Sequence, residues 1–379
     1  MTLRVGFNAR LLGSPALRGW NRYTVNLLAE LPGQGVRPIL YADRPPHPAH
    51  LARLPAGSYE VRVAGIRPYA AWEQVWLPRA CRLDRAAVLH APANFGLPWS
   101  SPCPRVLTLH DAIDQVYHAP RRTARARWSV SAVRARLAHW SARTRADRVI
   151  TVSEHARGDL VGRLGVPAWK VRVTPEAADP AMARLVSAGD RRGVRARHGL
   201  ERPYVFYVGG WEARKNVPFL LRAFAAAGLG GVDLVLAGGD ESEGPPLLEL
   251  ARTLGVADRF RPIGRVDDAE LPALYAEALC FAYPSEYEGF GLQVCEAMAA
   301  GCPVLASRAT SLPEVVGGGG ETFALDTTAE LAALLRRVSD DPAYRDGLVS
   351  RARARSADFS WRATAGATAA VYRELAGTR

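Results

Sequence analysis

The sequence has few cysteines and no long apolar run. Its five cysteines are odd in number and lack the spacing of metal ligands, which argues against a disulfide scaffold or a metal cluster and favours reduced core thiols. No run approaches the roughly 18 apolar residues of a membrane span. Residues 1–10 are typical of a strand rather than a signal peptide, so we expect a cytoplasmic protein.

Lysine is almost absent. It occurs only at Lys170 and Lys215, so arginine carries nearly all of the cationic side of a net charge of +12. Arginine bias of this strength is first a sign of GC-rich coding. The excess positive charge nevertheless suits an anionic substrate, an anionic membrane surface or nucleic acid.

Short apolar runs alternate with helical stretches, which favours parallel sheets covered by helices. We predict strands at 3–7, 37–41, 87–90, 106–109, 149–152 and 171–174, and again at 204–208, 233–237, 259–263, 279–283 and 304–307. Charges dominate residues 179–203, where no strand is evident. For 379 residues this predicts two α/β domains, 1–180 and 181–355, followed by a C-terminal helical segment, 356–379.

The stretch from Glu288 to Glu296 is the strongest candidate for a ligand site. Glu288 follows a predicted strand, and Glu296 lies about one turn inside a predicted helix. Gly289 and Gly291 let the backbone approach a ligand closely, and the helix start favours an anion. Paired carboxylates also occur in glycosidases, but these two lie on one local unit, where they suit holding sugar hydroxyls better than flanking a bond.

A second constellation lies between a predicted strand and helix. Gly209 and Gly210 permit a tight turn, and the adjacent cations Arg214 and Lys215 can neutralise a diphosphate. The Walker pattern is absent because no G-K-[ST] follows. The alternative is a solvated helix start, although cations at a helix N-terminus oppose its dipole.

The N-terminal half carries two weaker signals. The loop with Gly19 and Asn21, between a strand and a predicted helix 23–31, is typical of nucleotide-binding units, although a turn with Asn21 as the N-cap explains it equally well. His110 and Asp111 follow another predicted strand, at the edge where open α/β sheets bind ligands. The alternative is a capping Asp beside a buried, hydrogen-bonded His, and position alone leaves both open.

The most basic segment begins at Arg121 and ends at Arg148, with nine arginines and one acid. One interpretation is an interfacial helix on a membrane that carries a lipid-linked acceptor. The other, which we favour, is an ordinary amphipathic helix with its apolar stripe in the core. That stripe comprises Trp128, Val133, Leu137 and Trp140. No nucleic-acid motif is present, so no nucleic-acid partner is expected.

The block 283–307 resembles the signature of retaining glycosyltransferases of family 4, E-x7-E within S-x-Y-E-G-F-G-L-P-x-x-E-A-M-A-x-G-x-P-V. Other family motifs match in order, including N-A-R-L-L near the start, H-D at Asp111, T-V-S-E at Ser153, V-G-G-x-x-x-R-K-N at Gly209 and F-S-W at Phe359. The resemblance implies the GT-B fold, in which two Rossmann-like domains face a central cleft and a C-terminal helix returns to the first domain. The pattern is most similar to mannosyltransferase-like members that build surface polysaccharides.

The resemblance also implies residue roles. Arg214 and Lys215 would bind the donor diphosphate and stabilise it as it leaves, Glu296 would hold the ribose, and Glu288 would hold a hydroxyl of the transferred sugar. The remaining expected site residues fall into three groups. The donor-binding group comprises the amides of Gly289, Phe290, Gly291 and Leu292, together with Gly209 and Gly210. The loop 18–21, with Gly19, would approach the phosphates. The cleft or acceptor-side group comprises His110, Asp111, Asn21 and Glu176.

The implied reaction moves a hexose from a nucleotide-diphospho-sugar to a sugar or lipid-linked acceptor, with retention, front-face attack, and neither a metal nor a cofactor. GDP-mannose is the first expectation and UDP-sugars follow. Asn21, Ala177 and Gln293 replace two glycines and a proline of the family pattern, which bears on donor identity. The alternatives are a nucleotide-sugar epimerase, a non-catalytic sugar-nucleotide sensor and a nucleic-acid-binding protein.

Overall fold

The computed structural model describes residues 2–15, 19–121, 129–239 and 244–377. Two compact units divide the chain. Unit 1 comprises Met1–Glu176 together with Ser360–Arg379, and unit 2 comprises Ala177–Phe359. The sequence places the corresponding limits after residues 180 and 355.

Unit 1 is built on a seven-stranded parallel sheet in the order β3-β2-β1-β4-β5-β6-β7. Its strands are β1 (Leu3–Asn8), β2 (Val36–Ala42), β3 (Glu60–Val63), β4 (Val88–Ala91), β5 (Arg105–Thr108), β6 (Arg148–Thr151) and β7 (Val171–Val173). Its helices up to that point are α1 (Trp20–Glu30), α2 (Pro48–Leu51), α3 (Tyr69–Ala71), α4 (Leu77–Leu83), α5 (Ala119–Arg121), α6 (Val130–Thr144) and α7 (Glu154–Gly162). Shorter helical turns include Arg10–Gly13, directly after β1.

Unit 2 repeats this design with a six-stranded parallel sheet in the order β10-β9-β8-β11-β12-β13. Its strands are β8 (Tyr204–Gly209), β9 (Asp233–Gly238), β10 (Phe260–Gly264), β11 (Cys280–Tyr283), β12 (Val304–Ser307) and β13 (Glu321–Phe323). Its helices are α8 (Ala188–Arg197), α9 (Val217–Ala227), α10 (Gly244–Thr253), α11 (Leu271–Glu277), α12 (Leu292–Ala299), α13 (Leu312–Val316), α14 (Ala329–Asp340) and α15 (Pro342–Ser356).

The last helix, α16 (Trp361–Gly377), packs in unit 1. The Tyr372 hydroxyl on α16 lies 2.6 Å from Nδ1 of His90 on β4, and Thr364 donates a hydrogen bond to the carbonyl of Pro175 at 2.6 Å. Its outer face is tied by ion pairs from Glu374 to arginines of the sheet. In the described part of the chain, no helix is both long enough and apolar enough to cross a bilayer.

Each sheet has one point where the strand order reverses. In unit 1 it lies between β1 and β4, and in unit 2 between β8 and β11. The loops that leave such neighbouring strands diverge to opposite faces and open a crevice at the carboxyl edge, where ligands bind in open α/β sheets. The fold therefore directs attention to the segments after β1 and β4 and after β8 and β11.

The predicted parallel sheets are confirmed, and every predicted strand is present within a residue or two. The sequence missed β3 and β13, because E-V-R-V and E-T-F are short edge strands without an apolar run. The prediction of Asn21 as an N-cap is wrong. Helix α1 begins at Trp20, and Gly19, with φ of 45°, precedes it and makes the turn.

The interpretation of the basic segment as a helix with its apolar stripe in the core fails at Leu137, whereas Val133 and Trp140 of the stripe are half-buried. The buried side chains of α6 are the small residues Ala132, Ala138, Ser141 and Ala142, of which Ala142 packs in a cluster with residues of β5 and β6. Leu137, predicted in the core, is 47% exposed. Val130, which lies two helical turns before it on the same face, is 76% exposed. Trp128 of the predicted stripe lies outside the described residues.

Candidate functional site

The site in unit 2 forms where the loop after β8 meets the loop after β11. Arg214 and Lys215 sit on a short 3-10 turn, and Glu288 lies between β11 and α12. The Arg214 guanidinium and the Lys215 ammonium each donate to Oε1 of Glu288 at 2.7 Å. Arg214 and Lys215 thus share one carboxylate oxygen of a residue that follows them by 74 and 73 positions in the chain.

All three charged groups are withdrawn from water. The side chains of Arg214, Lys215 and Glu288 are 13%, 6% and 12% exposed. The alternative of a solvated helix start at Lys215 is therefore wrong. Two cations around one carboxylate leave an excess of one positive charge in this buried group, while Glu212 contacts Arg214 from the more exposed rim at 2.7 Å.

The charges shift one another's ionisation. Burial by itself would raise the pKa of Glu288, but Lys215 and Arg214 outweigh burial and hold that pKa below its usual value. Burial lowers the pKa of Lys215, Glu288 opposes this, and the neighbouring Arg214 adds to the lowering. Glu288 is thus firmly a carboxylate, and Lys215 is a cation held in an unfavourable environment.

Further hydroxyls converge on the same oxygen of Glu288. Ser285 donates to Oε1 at 2.5 Å, and the Tyr283 hydroxyl lies 3.1 Å from it. The Lys215 ammonium also donates to Tyr283 at 2.5 Å, and Oε1 of Gln293 lies 3.2 Å from the phenol. Since a phenol has one proton, Tyr283 serves Glu288 or Gln293 at a time.

Oε1 of Glu288 therefore has four donors, while its second oxygen, Oε2, forms no hydrogen bond with the described residues. One oxygen anchors the carboxylate and the other is left to accept from a ligand. The anchoring fixes the direction of that second oxygen.

The loop that carries Glu288 is held by backbone contacts to the segment after β12. The Ser311 hydroxyl lies 3.0 Å from the carbonyl oxygen of Glu288 and 2.9 Å from that of Phe290, and its one proton serves either of them. The Glu288 amide donates to Thr310 at 2.9 Å. Gly291 completes the turn with φ of 105°, a conformation that glycine adopts without strain. The polypeptide then enters α12 with its first amides at the loop.

Glu296 lies where the sequence predicts it, inside α12 and 2% exposed. Phe290 is 4% exposed, and its ring packs edge-on against Phe359 at 5.5 Å between centroids. Leu292 opens α12, and Gly289 stands between Glu288 and Phe290. Gly210 fits closely, because a Cβ there would lie 2.0 Å from a carboxylate oxygen of Glu212.

In unit 1, His110 and Glu176 form a separate buried pair. Nδ1 of His110 lies 3.0 Å from Oε1 of Glu176, and Nε2 lies 3.2 Å from the carbonyl oxygen of Pro92. The Pro92 carbonyl can only accept a hydrogen bond, so the ring nitrogen that faces it is the donor. Tyr23 packs edge-on against the ring at 4.6 Å.

The neighbours of this pair are ordered by local hydrogen bonds. Oδ1 of Asp111 accepts the Ile113 amide at 3.1 Å, and the His110 amide donates to Asn94 at 2.8 Å. His110 and Asp111 thus have the arrangement that the structural alternative predicts, a buried, hydrogen-bonded His beside an Asp that accepts a local backbone amide. Gly19 and Asn21 stand at the start of α1, while Arg18 of the predicted phosphate loop lies outside the described residues.

Sequence reasoning missed the residues that organise the unit 2 site. Tyr283 is predicted only as the end of a strand, and Ser285, Thr310 and Ser311 receive no role from the sequence. Their contacts to Glu288 depend on tertiary packing. The only sequence signal available is that all four flank the carboxyl ends of β11 and β12.

Two family models match the chain. "Glycosyltransferase Family 4" matches residues 17–182 and "Glycosyl transferases group 1" matches residues 191–355. The two segments correspond to most of unit 1 and unit 2.

Two characterised relatives are mannosyltransferases by name. The chain is 32% identical over 231 residues to O-antigen chain mannosyltransferase B of Escherichia coli, and 35% identical over 230 residues to an MMP alpha-(1->4)-mannosyltransferase of Mycolicibacterium hassiacum. The matched segments cover 60% and 59% of this chain, and 60% and 53% of those two relatives.

Among solved structures, Anabaena Alr3699/HepE in complex with UDP is similar, with a TM-score of 0.76, 20% identity, and coverage of 99% of this chain and 100% of that one. The same protein has been solved with UDP-glucose. This likeness confirms the predicted fold class of two Rossmann-like parallel-sheet domains.

Proposed function

The chain belongs to glycosyltransferase family 4, and we propose that it moves a hexose, mannose first, from a nucleotide-diphospho-sugar to a sugar or lipid-linked acceptor. The observation that carries this proposal is the buried cluster of Arg214, Lys215 and Glu288 at the reversal point of the unit 2 sheet. Such a position suits a nucleotide ligand. Two cations held side by side, with Glu288 between them and Glu212 at the rim, suit its diphosphate.

Arg214 and Lys215 act on the leaving diphosphate. Their charge is held in place by Glu288 before any ligand arrives, so little reorganisation accompanies the growth of negative charge as the sugar bond breaks. The first amides of α12, from Gly289 to Leu292, add partial positive charge at the same loop. These groups together supply the stabilisation for which a metal ion would otherwise serve.

The carboxylates hold the donor. Oε2 of Glu288 accepts from a hydroxyl of the transferred sugar, and Glu296 accepts from the ribose. Gly209 and Gly210 let the donor approach the backbone. With the leaving phosphate taking the acceptor's proton, attack occurs from the front face and the anomeric configuration is retained. Gly19, Asn21, His110, Asp111 and Glu176 belong to the phosphate and acceptor side supplied by unit 1.

Substitution of one cation and one carboxylate tests these two roles, stabilisation of the leaving diphosphate and binding of the donor. Lys215→Ala should lower the transfer rate at saturating donor about a hundredfold, whereas Glu296→Ala should chiefly weaken donor binding. Lys170→Ala is a matched control, because the other lysine of the chain lies in unit 1, where it donates to the carbonyls of Arg143 and Ala146. A near-normal transfer rate for Lys215→Ala at saturating donor would rule out its assignment.

The donor base and sugar are tested by thermal shift against GDP-mannose and UDP-sugars, since a ligand that binds the folded state raises apparent stability. The names of the two mannosyltransferase relatives support mannose, and the UDP complex of the structural relative keeps UDP-sugars in the panel. An epimerase would release an altered donor without acceptor, which mass spectrometry detects. A sensor would show no turnover with any acceptor.

Helix α6 supports a peripheral contact with an anionic membrane. Val130 and Leu137 are exposed on one face, where the exposed Arg134 lies between them, and Trp99 beside Trp140 is 51% exposed. Apolar side chains flanked by arginine are typical of helices that lie at an interface. This contact would place the enzyme at the inner face of the cytoplasmic membrane.

Vesicle sedimentation tests the contact. The protein should bind vesicles rich in phosphatidylglycerol and not vesicles of phosphatidylcholine, and Val130→Ser with Leu137→Ser should weaken that binding. Leu185→Ser is the control, because Leu185 is 90% exposed but lies in unit 2. Equal binding by the α6 variant and the unchanged protein would contradict the proposal.

A further inference from the structure

A second crevice lies in unit 1, at the point where its own strand order reverses. It encloses a cavity of about 280 Å³. The lining segments follow β1, β2 and β4 and include the start of α1, so the cavity lies at the carboxyl edge of the sheet. Sequence reasoning assigned only Asn21 among its lining residues.

Arg10 is the best ordered cation of this cavity. Its Nε donates to Oδ2 of the buried Asp43 at 2.9 Å, and its guanidinium carbon lies 4.1 Å from the centroid of the Tyr69 ring. The Tyr69 hydroxyl in turn donates to Glu73 at 2.5 Å. The guanidinium plane is therefore fixed from two sides.

This fixation leaves the far end of Arg10 available. Among the described residues, neither terminal nitrogen of the guanidinium forms a hydrogen bond, and the side chain is 26% exposed. Two parallel N–H donors in one plane match the two oxygens of a carboxylate or phosphate. A held guanidinium loses little side-chain entropy when it binds such a group.

The rest of the lining suits a sugar ring. Two aromatic side chains, Trp20 and Phe95, line the cavity beside Ser14. The Tyr69 ring carries the Arg10 guanidinium on one face and stacks on Trp72. Few polar groups in an aromatic pocket are typical of small-molecule sites. A sugar presents C–H groups to aromatic faces and hydroxyls to such polar atoms.

The charge balance of the lining favours an anion. Arg10 and Arg44 both line the cavity, and their shared carboxylate, Asp43, lies beneath them with a side chain only 3% exposed. Arg44 reaches Asp43 only at 3.9 Å and is 58% exposed, so its charge remains open to a ligand. Both charged side chains that line the cavity are thus arginines, while the two acids near Arg10, Asp43 and Glu73, lie outside the lining.

We propose that this cavity binds the acceptor through an anionic group, a carboxylate or a phosphate, carried on a saccharide. Trp20 and Phe95 contact the sugar ring and the Arg10 fork receives the anion. The acceptor role rests on the proposed glycosyl transfer, whereas the binding preference can be measured without turnover.

Calorimetry on the full chain tests this preference with four probes: methyl α-mannoside, glucuronate, mannose 6-phosphate and inorganic phosphate. Glucuronate, mannose 6-phosphate or both should bind about tenfold or more tightly than the neutral sugar, as expected for a charge-assisted hydrogen-bonded pair. The two anionic sugars distinguish a carboxylate from a phosphate. Phosphate alone binding as tightly as mannose 6-phosphate would overturn the saccharide part of the proposal.

Arg10→Gln should abolish the preference, and Arg10→Lys should keep part of it, because lysine retains the charge without the fork. Arg82→Gln is the matched control in unit 1, since Arg82 is exposed at the end of α4, which leads into β4 at the opposite edge of the sheet. A preference that survives in Arg10→Gln, or that Arg82→Gln removes equally, would overturn the inference.

Nucleotide binding separates this inference from the proposed function. UDP and GDP affinities, measured on the same samples, should be unchanged by Arg10→Gln. A wild-type chain that binds no nucleotide sugar would contradict the glycosyl transfer, while the anion preference would still be decided by the four probes. Normal nucleotide binding without any preference for anionic sugars would overturn the inference alone.

Discussion

Lys215 is one of two lysines in a chain that otherwise uses arginine, and its position explains why a compact ammonium suits it. The ammonium donates to both Glu288 and the Tyr283 hydroxyl within a nearly closed space. A planar guanidinium needs more room and cannot lose its proton. The cluster therefore combines a permanent cation, Arg214, with a titratable one.

This difference predicts the alkaline limb of the transfer rate. Burial lowers the pKa of Lys215 below 10.5, Glu288 opposes the shift and Arg214 adds to it. Activity should fall as pH rises through a pKa below 10.5, because neutral lysine no longer stabilises the leaving diphosphate. In Lys215→Arg, whatever activity remains should lack this limb. An identical limb in both proteins would assign it to another group.

Tyr283 is a positioning residue for the same cluster. In Tyr283→Phe, Lys215 and Glu288 lose a shared partner, so transfer should slow about tenfold while nucleotide affinity stays within about twofold. Tyr204→Phe is the matched control, because Tyr204 is a buried tyrosine of unit 2 that donates to the carbonyl of Leu274. Steady-state kinetics with direct nucleotide titration distinguish the two effects, and equal losses in both variants would indicate general damage.

At the scale of elements, helix α12 depends on how its first turn is reached. Gly291 has φ of 105°, and a Cβ there would lie 2.6 Å from the Leu312 side chain on α13. The loop before it carries Glu288, and the helix after it carries Glu296. One backbone conformation thus sets the separation of the two carboxylates.

Gly291→Ala should consequently destabilise the fold by about 2 kcal/mol and weaken nucleotide binding as well. Gly318→Ala is the control, because Gly318 is an exposed glycine of unit 2 with no atom within 4 Å of a built Cβ. Urea unfolding and nucleotide titration measure the two effects. Equal stability of the two variants would show that the turn tolerates a side chain.

A buried histidine, His90, connects α16 to the sheet of unit 1 by hydrogen bonds. His90 on β4 has Tyr372 of α16 on one nitrogen and Thr108 of β5 on the other, at 2.6 and 2.7 Å. Burial lowers the pKa of His90 from 6.5 to about 3, and nearby His110 adds to the lowering. The folded protein thus keeps His90 neutral in a range where the unfolded chain protonates it.

Stability should therefore be complete above pH 6.5 and decline as pH falls toward 3, because the unfolded state binds the extra proton. The contribution of His90 amounts to about 2 kcal/mol between pH 6.5 and 5. Urea unfolding across this range measures it. In His90→Asn the protein should be less stable at pH 7 but show a flatter dependence, and an unchanged slope would contradict this account.

At the scale of the whole molecule, the chain passes from unit 1 to unit 2 after Glu176 and returns after Phe359. Each unit has its own parallel sheet and its own reversal point. The proposed donor groups lie in unit 2 and the anion cavity lies in unit 1. The two binding functions are thus carried by separate cores.

Calorimetric unfolding should reflect this division. A nucleotide at a hundred times its dissociation constant should stabilise the transition of unit 2 by about 2.7 kcal/mol and shift the transition of unit 1 much less. Lys215→Ala should reduce the shift, and Lys170→Ala should not. Equal shifts of both transitions would show that the units unfold as one.

The sequence by itself determined the two parallel-sheet domains, nearly all strands and the identity of Arg214, Lys215, Glu288 and Glu296 as candidates. Buried parallel strands appear as continuous apolar runs. Ligand-binding residues lie in the loops at the carboxyl ends of such strands, so they follow directly after those runs in the sequence.

Only the tertiary structure decided which groups meet. The sharing of Glu288 by two cations, the convergence of Tyr283 and Ser285 on it, and the fixation of Arg10 by Asp43 join segments distant in the chain. The outward face of α6 was decided in the same way. Periodicity gives the phase of a stripe, but tertiary packing, here of Ala142 in a cluster with residues of β5 and β6, decides which face is buried.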